Sequence, residues 1–150
     1  MSGILINNKK ARFEYELLEK FIAGLVLTGS EIKSIRNGKA SIKEAYCFIE
    51  KDEIWIRNMH ISPYEQASSN NHDPLRLRKL LLNASELKKL IKKLKNVGLT
   101  IVPLKVFINN KGWAKIEIAL AQGKKQFDKR EDIKKRDSER QWDRDKKGKL

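Results

Sequence analysis

WAKIEIALAQGKKQFDKR, residues 113–130, holds the point at which a sheet-like sequence gives way to a tail. From Trp113 to Ala121, the apolar Ile116, Ile118 and Leu120 alternate with Lys115, Glu117 and Ala119, the period-two pattern of a half-buried strand. Beyond it the pattern stops, and across residues 123–150 the large apolar side chains are Phe127, Ile133, Trp142 and Leu150 alone. Ordering each backbone residue costs about 1 to 2 kcal/mol, which so little apolar surface does not offset. Residues 123–150 are therefore expected to form a tail that is disordered alone and ordered by a partner. Residues 1–122 are expected to form one compact domain, long enough for a single core.

Charge narrows the partner. The chain carries a net +14 with a pI near 9.9. The tail holds 12 Lys or Arg against 7 Asp or Glu, and the preceding 122 residues hold 21 against 12, so both parts are basic. That balance favours a polyanion, most commonly nucleic acid, over a basic surface kept only for solubility. The apolar residues of the tail make no helical stripe for a membrane surface, and no apolar run approaches the roughly 18 residues of a membrane span. MSGILINNKK at the N-terminus lacks a charged start, a long apolar stretch and a cleavage site, so a cytoplasmic location is expected. Cys47 stands alone, which leaves no internal disulfide or Cys-based metal cluster and reads as a small buried hydrophobe.

Upstream, Phe13, Tyr15 and Leu17 alternate with Glu14 and Glu16, and the apolar run Phe21 to Leu27 follows, so both segments read as strands. Ser30 as N-cap and Gly38 as a left-handed stop bracket a short helix from about Glu31 to Asn37. Strands Tyr46 to Glu50 and Ile54 to Arg57 flank a turn at Lys51, Asp52 and Glu53. Ser62 to Pro74 is polar, carries Pro63 and Pro74, and reads as a long surface loop. Asn83 with Glu86 forms a capping box, and Leu87, Leu90, Ile91 and Leu94 recur at helical spacing before Gly98. The outer face of that helix carries Lys88, Lys89, Lys92, Lys93 and Lys95, read equally as a solvated face or a nucleic-acid contact. Thr100 to Ile108 and Trp113 to Ala121 are the last strands, and Trp55 and Trp113 read as core residues in alternating strands. The expected fold is mainly β with short helices: a small OB-like closed antiparallel barrel, because closure removes exposed edges.

Catalytic and metal chemistry find little footing. His60 and His72 are the two histidines, and no HExxH, GxxxxGK[ST] or GxGxxG pattern occurs. The acidic residues before the tail are scattered, mostly over polar faces, and Asp73 beside His72 reads as a pair ordering the loop ahead of Pro74 in preference to a general acid or base. No catalytic residue, metal site or cofactor is expected.

Five segments carry a family resemblance: NKKARFEY (Asn8 to Tyr15), AGLVLTGSEIKSIRNGKAS (Ala23 to Ser41), HISPY (His60 to Tyr64), NHDPLRLRKLLLN (Asn71 to Asn83) and GKKQFDKREDIKKRD (Gly123 to Asp137). Their order and coverage resemble the SsrA-binding protein (SmpB) family, bacterial partners of transfer-messenger RNA (tmRNA) in ribosome rescue. The resemblance implies an OB-type barrel that binds the tRNA-like domain of tmRNA and delivers it to stalled ribosomes for trans-translation. It also implies a tail that turns helical at the decoding site and in the empty messenger channel, with alanyl-tRNA synthetase and elongation factor Tu as indirect partners. A general OB-fold RNA chaperone and a basic ribosome-associated protein are the competing readings.

Carried over by position, the RNA-contacting pattern falls on Asn8, Lys9, Leu81 and Lys115, and Lys10 and Arg12 add cations in a matching segment. Leu81 reads as core by pattern alone, and only the resemblance makes it a contact. Ile22 stands where the family often has Glu, and Phe127 where it often has His or Tyr, a change that keeps stacking and loses a ring hydrogen bond. The ribosome-binding tail is expected to use Gly123, Lys124, Lys125, Phe127, Asp128, Lys129 and Arg130, with Lys124, Lys129 and Arg130 on phosphates. Asp128 and Glu131 have capping-box spacing, and Glu131 with Lys135 and Asp132 with Arg136 have helical i, i+4 spacing.

Overall fold

The computed structural model describes residues 3–64 and 71–123. Among them, in chain order, are β1 (Gly3–Asn7), α1 (Lys9–Glu14), β2 (Tyr15–Leu25), α2 (Gly29–Arg36), β3 (Ala40–Ser41), β4 (Tyr46–Glu50), β5 (Glu53–Arg57), β6 (His60–Ile61), β7 (Arg78–Leu81), α3 (Ala84–Lys93), β8 (Leu99–Ile108) and β9 (Ala114–Gly123). The fold is mainly β with a few short helices. Seven strands pair in the order β1-β8-β4-β5-β7-β2-β9, and β8 also pairs with β9, while β3 and β6 form a separate two-stranded ladder. Every pairing is antiparallel.

The last strand begins at Ala114 and runs to Gly123, two residues past the alternation, because Gln122 and Gly123 still pair with Glu16 and Tyr15 of β2. Its inward residues Ala114, Ile116, Ile118 and Leu120 join the main core with Phe21, Ile54, Ile56, Ile101 and Val106. Ala119 and Ala121 are buried too, on the other face, in a second small cluster with Ala11, Val102 and Leu104. Their small side chains leave room for α1 to lie against the sheet.

Helix α1 departs from the expected strand through Phe13. Six residues do not hold a helix alone, and Asn8 anchors this one. The Asn8 side chain accepts from the Ala11 N–H at 3.4 Å and donates through Nδ2 to the Pro103 carbonyl at 2.9 Å, while its backbone N–H donates to the Leu104 carbonyl at 2.8 Å. The register of β8 against β9 shifts between Pro103 and Lys105, so Asn8 takes up carbonyls at an irregular step of the ladder.

Helix α2 starts earlier than Ser30 suggests. Thr28 is the N-cap, and a reciprocal capping box joins it to Glu31; the stop is Gly38 at φ 70°. The hairpin turn is two residues long, Lys51 and Asp52, both at positive φ as a type I′ turn requires. In α3, Leu90 is fully buried and Leu87 and Leu94 pack on the main core, while Asn83 accepts from the Glu86 N–H at 2.9 Å. Glu19 of β2 binds Lys89 at 2.5 Å and Lys93 at 2.6 Å, tying the helix to β2; the hydrogen bonds from these two lysines lower the Glu19 carboxyl from its ordinary value. Cys47 is buried, and burial pushes its thiol pKa up, away from reactivity.

Glu31 is an exception among acids that lie mostly on polar faces. It is completely buried with Arg78, whose guanidinium meets the Glu31 carboxylate at 2.5 Å, and Arg76 reaches the other oxygen at 2.6 Å. Arg78 also donates to the carbonyls of Met59, Asp73 and Pro74. One ion cluster thus fastens α2 to β7 and to the backbone at Asp73 and Pro74. His72 helps through Ser30 and the Ile61 carbonyl, each at 2.9 Å, and Asp73 instead accepts from the Leu75 N–H at 2.9 Å.

Candidate nucleic-acid interface

Strand β2 lies between β7 and β9, and this sets the site. Leu81 stands opposite Gly24, Gly24 opposite Lys115, and Lys115 opposite Phe107, one lateral row across β7, β2, β9 and β8. At roughly 4.8 Å per strand the row is about 14 Å wide. Its members alternate along their strands with the buried Leu80, Ala23, Ile116 and Val106, so they face outward. The next row pairs Ile22 with Glu117 and Glu117 with Lys105, whose Nζ lies 3.5 Å from the Glu117 carboxylate.

Leu81 is 53% exposed and Ile22 47%, which sets aside the core reading of Leu81. Gly24 leaves a gap between them: a Cβ there would lie 3.5 Å from the Leu81 Cβ and 3.7 Å from the Lys115 Nζ. The Lys115 ammonium is therefore held above bare backbone, with an aliphatic wall beside it. A chain with negative charge and flat apolar surface fits such a place, since phosphate takes the cation and a sugar or base edge takes the wall.

A second set sits on α1. Lys9, Lys10 and Arg12 are exposed, and Lys10 has only loose pairs at 3.7 Å with Glu14 and Glu44. Asn8 is buried, with both ends of its amide engaged by protein, so it positions the helix that carries these cations. The Ala11 face of α1 shares a cluster with Ala119, and Lys115 is four residues along β9 from Ala119, about 13 Å of strand. Ile22, Leu81 and Lys115 are thus brought to the outward side of β2, β7 and β9, and α1, which carries Lys9, Lys10 and Arg12, packs on that side through Ala11. Gly123 ends β9 and is exposed. Lys124, Lys125, Phe127, Asp128, Lys129 and Arg130 lie outside the described residues.

Trp113 is a correction. It is 67% exposed rather than core, because the 109–112 turn delays the strand to Ala114 and leaves Trp113 on the outward side with Lys115. Trp55 is half-buried. Sequence reasoning missed Glu31, Arg76 and Arg78; the T-x-x-E spacing from Thr28 signals the cap, but no local pattern signals its burial. Among the described residues no group of three or more His, Cys, Asp or Glu is placed to hold a metal ion, and no helix is long and apolar enough to cross a membrane.

Known proteins match this chain along its length. It is 58% identical to the SsrA-binding protein of Cytophaga hutchinsonii over 96% of this chain and 94% of the relative. The SsrA-binding protein of Geobacillus thermodenitrificans is 52% identical, over 94% and 90% respectively. A solved structure described as "tmRNA-SmpB: a journey to the center of the bacterial ribosome" superimposes with a TM-score of 0.67 at 45% identity, over 80% of this chain and 84% of that one. With the family model for the SmpB protein matching residues 5–148 as well, the chain belongs to the SmpB protein family.

Proposed function

We propose that this chain binds the tRNA-like domain of tmRNA and delivers it to stalled ribosomes for trans-translation. The observation that carries the reading is the Leu81, Gly24, Lys115 and Phe107 row, where residues distant in sequence make one cationic and aliphatic surface on the outward side of a sheet. Lys9, Lys10, Arg12 and Lys115 take phosphates, Ile22 and Leu81 make apolar contact, and Asn8 holds α1 in place. The pairing of β8 with β9, added to the order β8-β4-β5-β7-β2-β9, supports a closed OB-like barrel for residues 1–122.

Residues 123–150 form the second unit, a basic tail that orders on small-subunit ribosomal RNA at the decoding site and in the empty messenger channel. Its composition supports this, with 12 cations and few apolar residues. The protein acts as an adaptor in the cytoplasm and performs no chemistry itself; alanyl-tRNA synthetase and elongation factor Tu act on the RNA it carries. Stopping the chain after Gly123 separates binding from delivery. The shortened protein is expected to keep most of its tmRNA affinity and to lose peptide tagging on stalled ribosomes. Tagging at the full-length rate would remove the tail from the mechanism.

A further inference from the structure

The turn before β9 is built to present one side chain. Asn109 Oδ1 accepts from the Lys111 N–H at 3.1 Å and the Trp113 N–H at 2.9 Å, and the Asn109 N–H donates to the Trp113 carbonyl at 2.9 Å. The Gly112 N–H closes the turn onto the Asn109 carbonyl at 2.9 Å, with Gly112 at φ 84°. Trp113 leaves this braced turn with 67% of its surface in water. An indole usually supplies 150 to 250 Å² of burial or so, and here most of it is unused.

Two features say what covers it. Trp113 precedes Lys115 by two residues on the same outward side, about 6.6 Å along the strand line, so it borders the row from Leu81 to Phe107. Two cations lie at the turn that precedes it. Lys111 is exposed in the turn, and the Arg36 guanidinium lies against Gly112, 3.8 Å from the point a Cβ would occupy there. The ion pairs among the described residues involve neither Arg36 nor Lys111. A bare aromatic face flanked by cations matches a nucleotide, with the base on the ring and the phosphates on the cations.

We propose that Trp113 is a stacking platform for an unpaired base of tmRNA, with Arg36 and Lys111 on the flanking phosphates. The inference rests on the tmRNA reading above and extends its surface toward α2. In full-length protein carrying Trp55→Phe and Trp142→Phe, Trp113 is the sole indole, and its emission is expected to quench on titration with purified tmRNA. Trp113→Ala is expected to weaken tmRNA binding about 5- to 150-fold, the usual range for losing one stacked base, with an unchanged thermal midpoint, and Trp113→Phe to restore most of the loss. A stacked ring releases no counterions, so Trp113→Ala leaves the salt dependence of binding unchanged, whereas Arg36→Gln with Lys111→Gln flattens it. Wild-type affinity in Trp113→Ala overturns the proposal, as does quenching that appears with ribosomes or a protein and not with tmRNA. If the unaltered protein prefers no tmRNA over bulk RNA, the functional reading and this inference fall together; selective binding that survives Trp113→Ala sinks the inference alone.

Discussion

Burial opposes the charge on Glu31, yet hydrogen bonds from Arg76, the Thr28 N–H and Arg78 outweigh it and hold the carboxyl below its ordinary 4.5. The unfolded chain therefore binds its proton at higher pH than the folded one. The stability this gives is complete above about pH 4.5 and is lost as pH falls through the folded value. Glu31→Gln breaks a buried pair and leaves Arg78 uncompensated, a loss of about 3 to 5 kcal/mol near neutral pH. Urea unfolding from pH 7 down to pH 3 checks it: the gap between wild type and variant is expected to narrow with acid, and a constant gap contradicts this account of Glu31. The capping role of Glu31 is legible in the four residues from Thr28. Its partner Arg78 is 47 residues away and meets it only because β7 pairs with β5 and β2, so no local pattern contains the cluster.

At the scale of elements, α1 depends on one side chain. Asn8→Ala removes its N-cap, worth about 1 kcal/mol, and leaves the buried Pro103 carbonyl without its 2.9 Å donor, a further cost of about 1 to 3 kcal/mol. Thermal unfolding is expected to show the sum, and tmRNA binding to weaken because Lys9, Lys10 and Arg12 lose their support. An undiminished melting temperature would remove Asn8 as the anchor. Elements with strong alternation or helical spacing, such as β4, β5, β8, β9 and α3, are legible in the sequence. Strand β7 is not, because RKLL inverts the usual order: Arg78 points in and is neutralised by Glu31, while Leu81 points out. Helix α1 is hidden for a related reason, since the apolar alternation of β2 continues upstream through Phe13 while Asn8 and the β8 irregularity decide the conformation. Leu81 and Trp113 stand out because each breaks the burial that its residue type ordinarily obeys.

For the whole molecule, charge and the loss of pattern after Ala121 were readable from composition, and the partner class follows from them. What composition does not contain is which strands become neighbours. The long-range pairing of β2 with β9 and β7 puts Ile22, Leu81 and Lys115 on one surface, though they span 93 residues of chain. In the proposed function, specificity is assigned to that surface and nonspecific attraction to the net +14. A general RNA chaperone would use the charge and spread over messenger RNA; a structural ribosomal protein would carry assembled ribosomal RNA. Sequencing the RNA that co-purifies with the full-length protein from cells at moderate salt separates these outcomes. The adaptor account predicts tmRNA as the dominant species, lost when Lys9, Lys10, Arg12 and Lys115 are changed together to Gln. A profile of bulk messenger or ribosomal RNA, the same for both proteins, would contradict it.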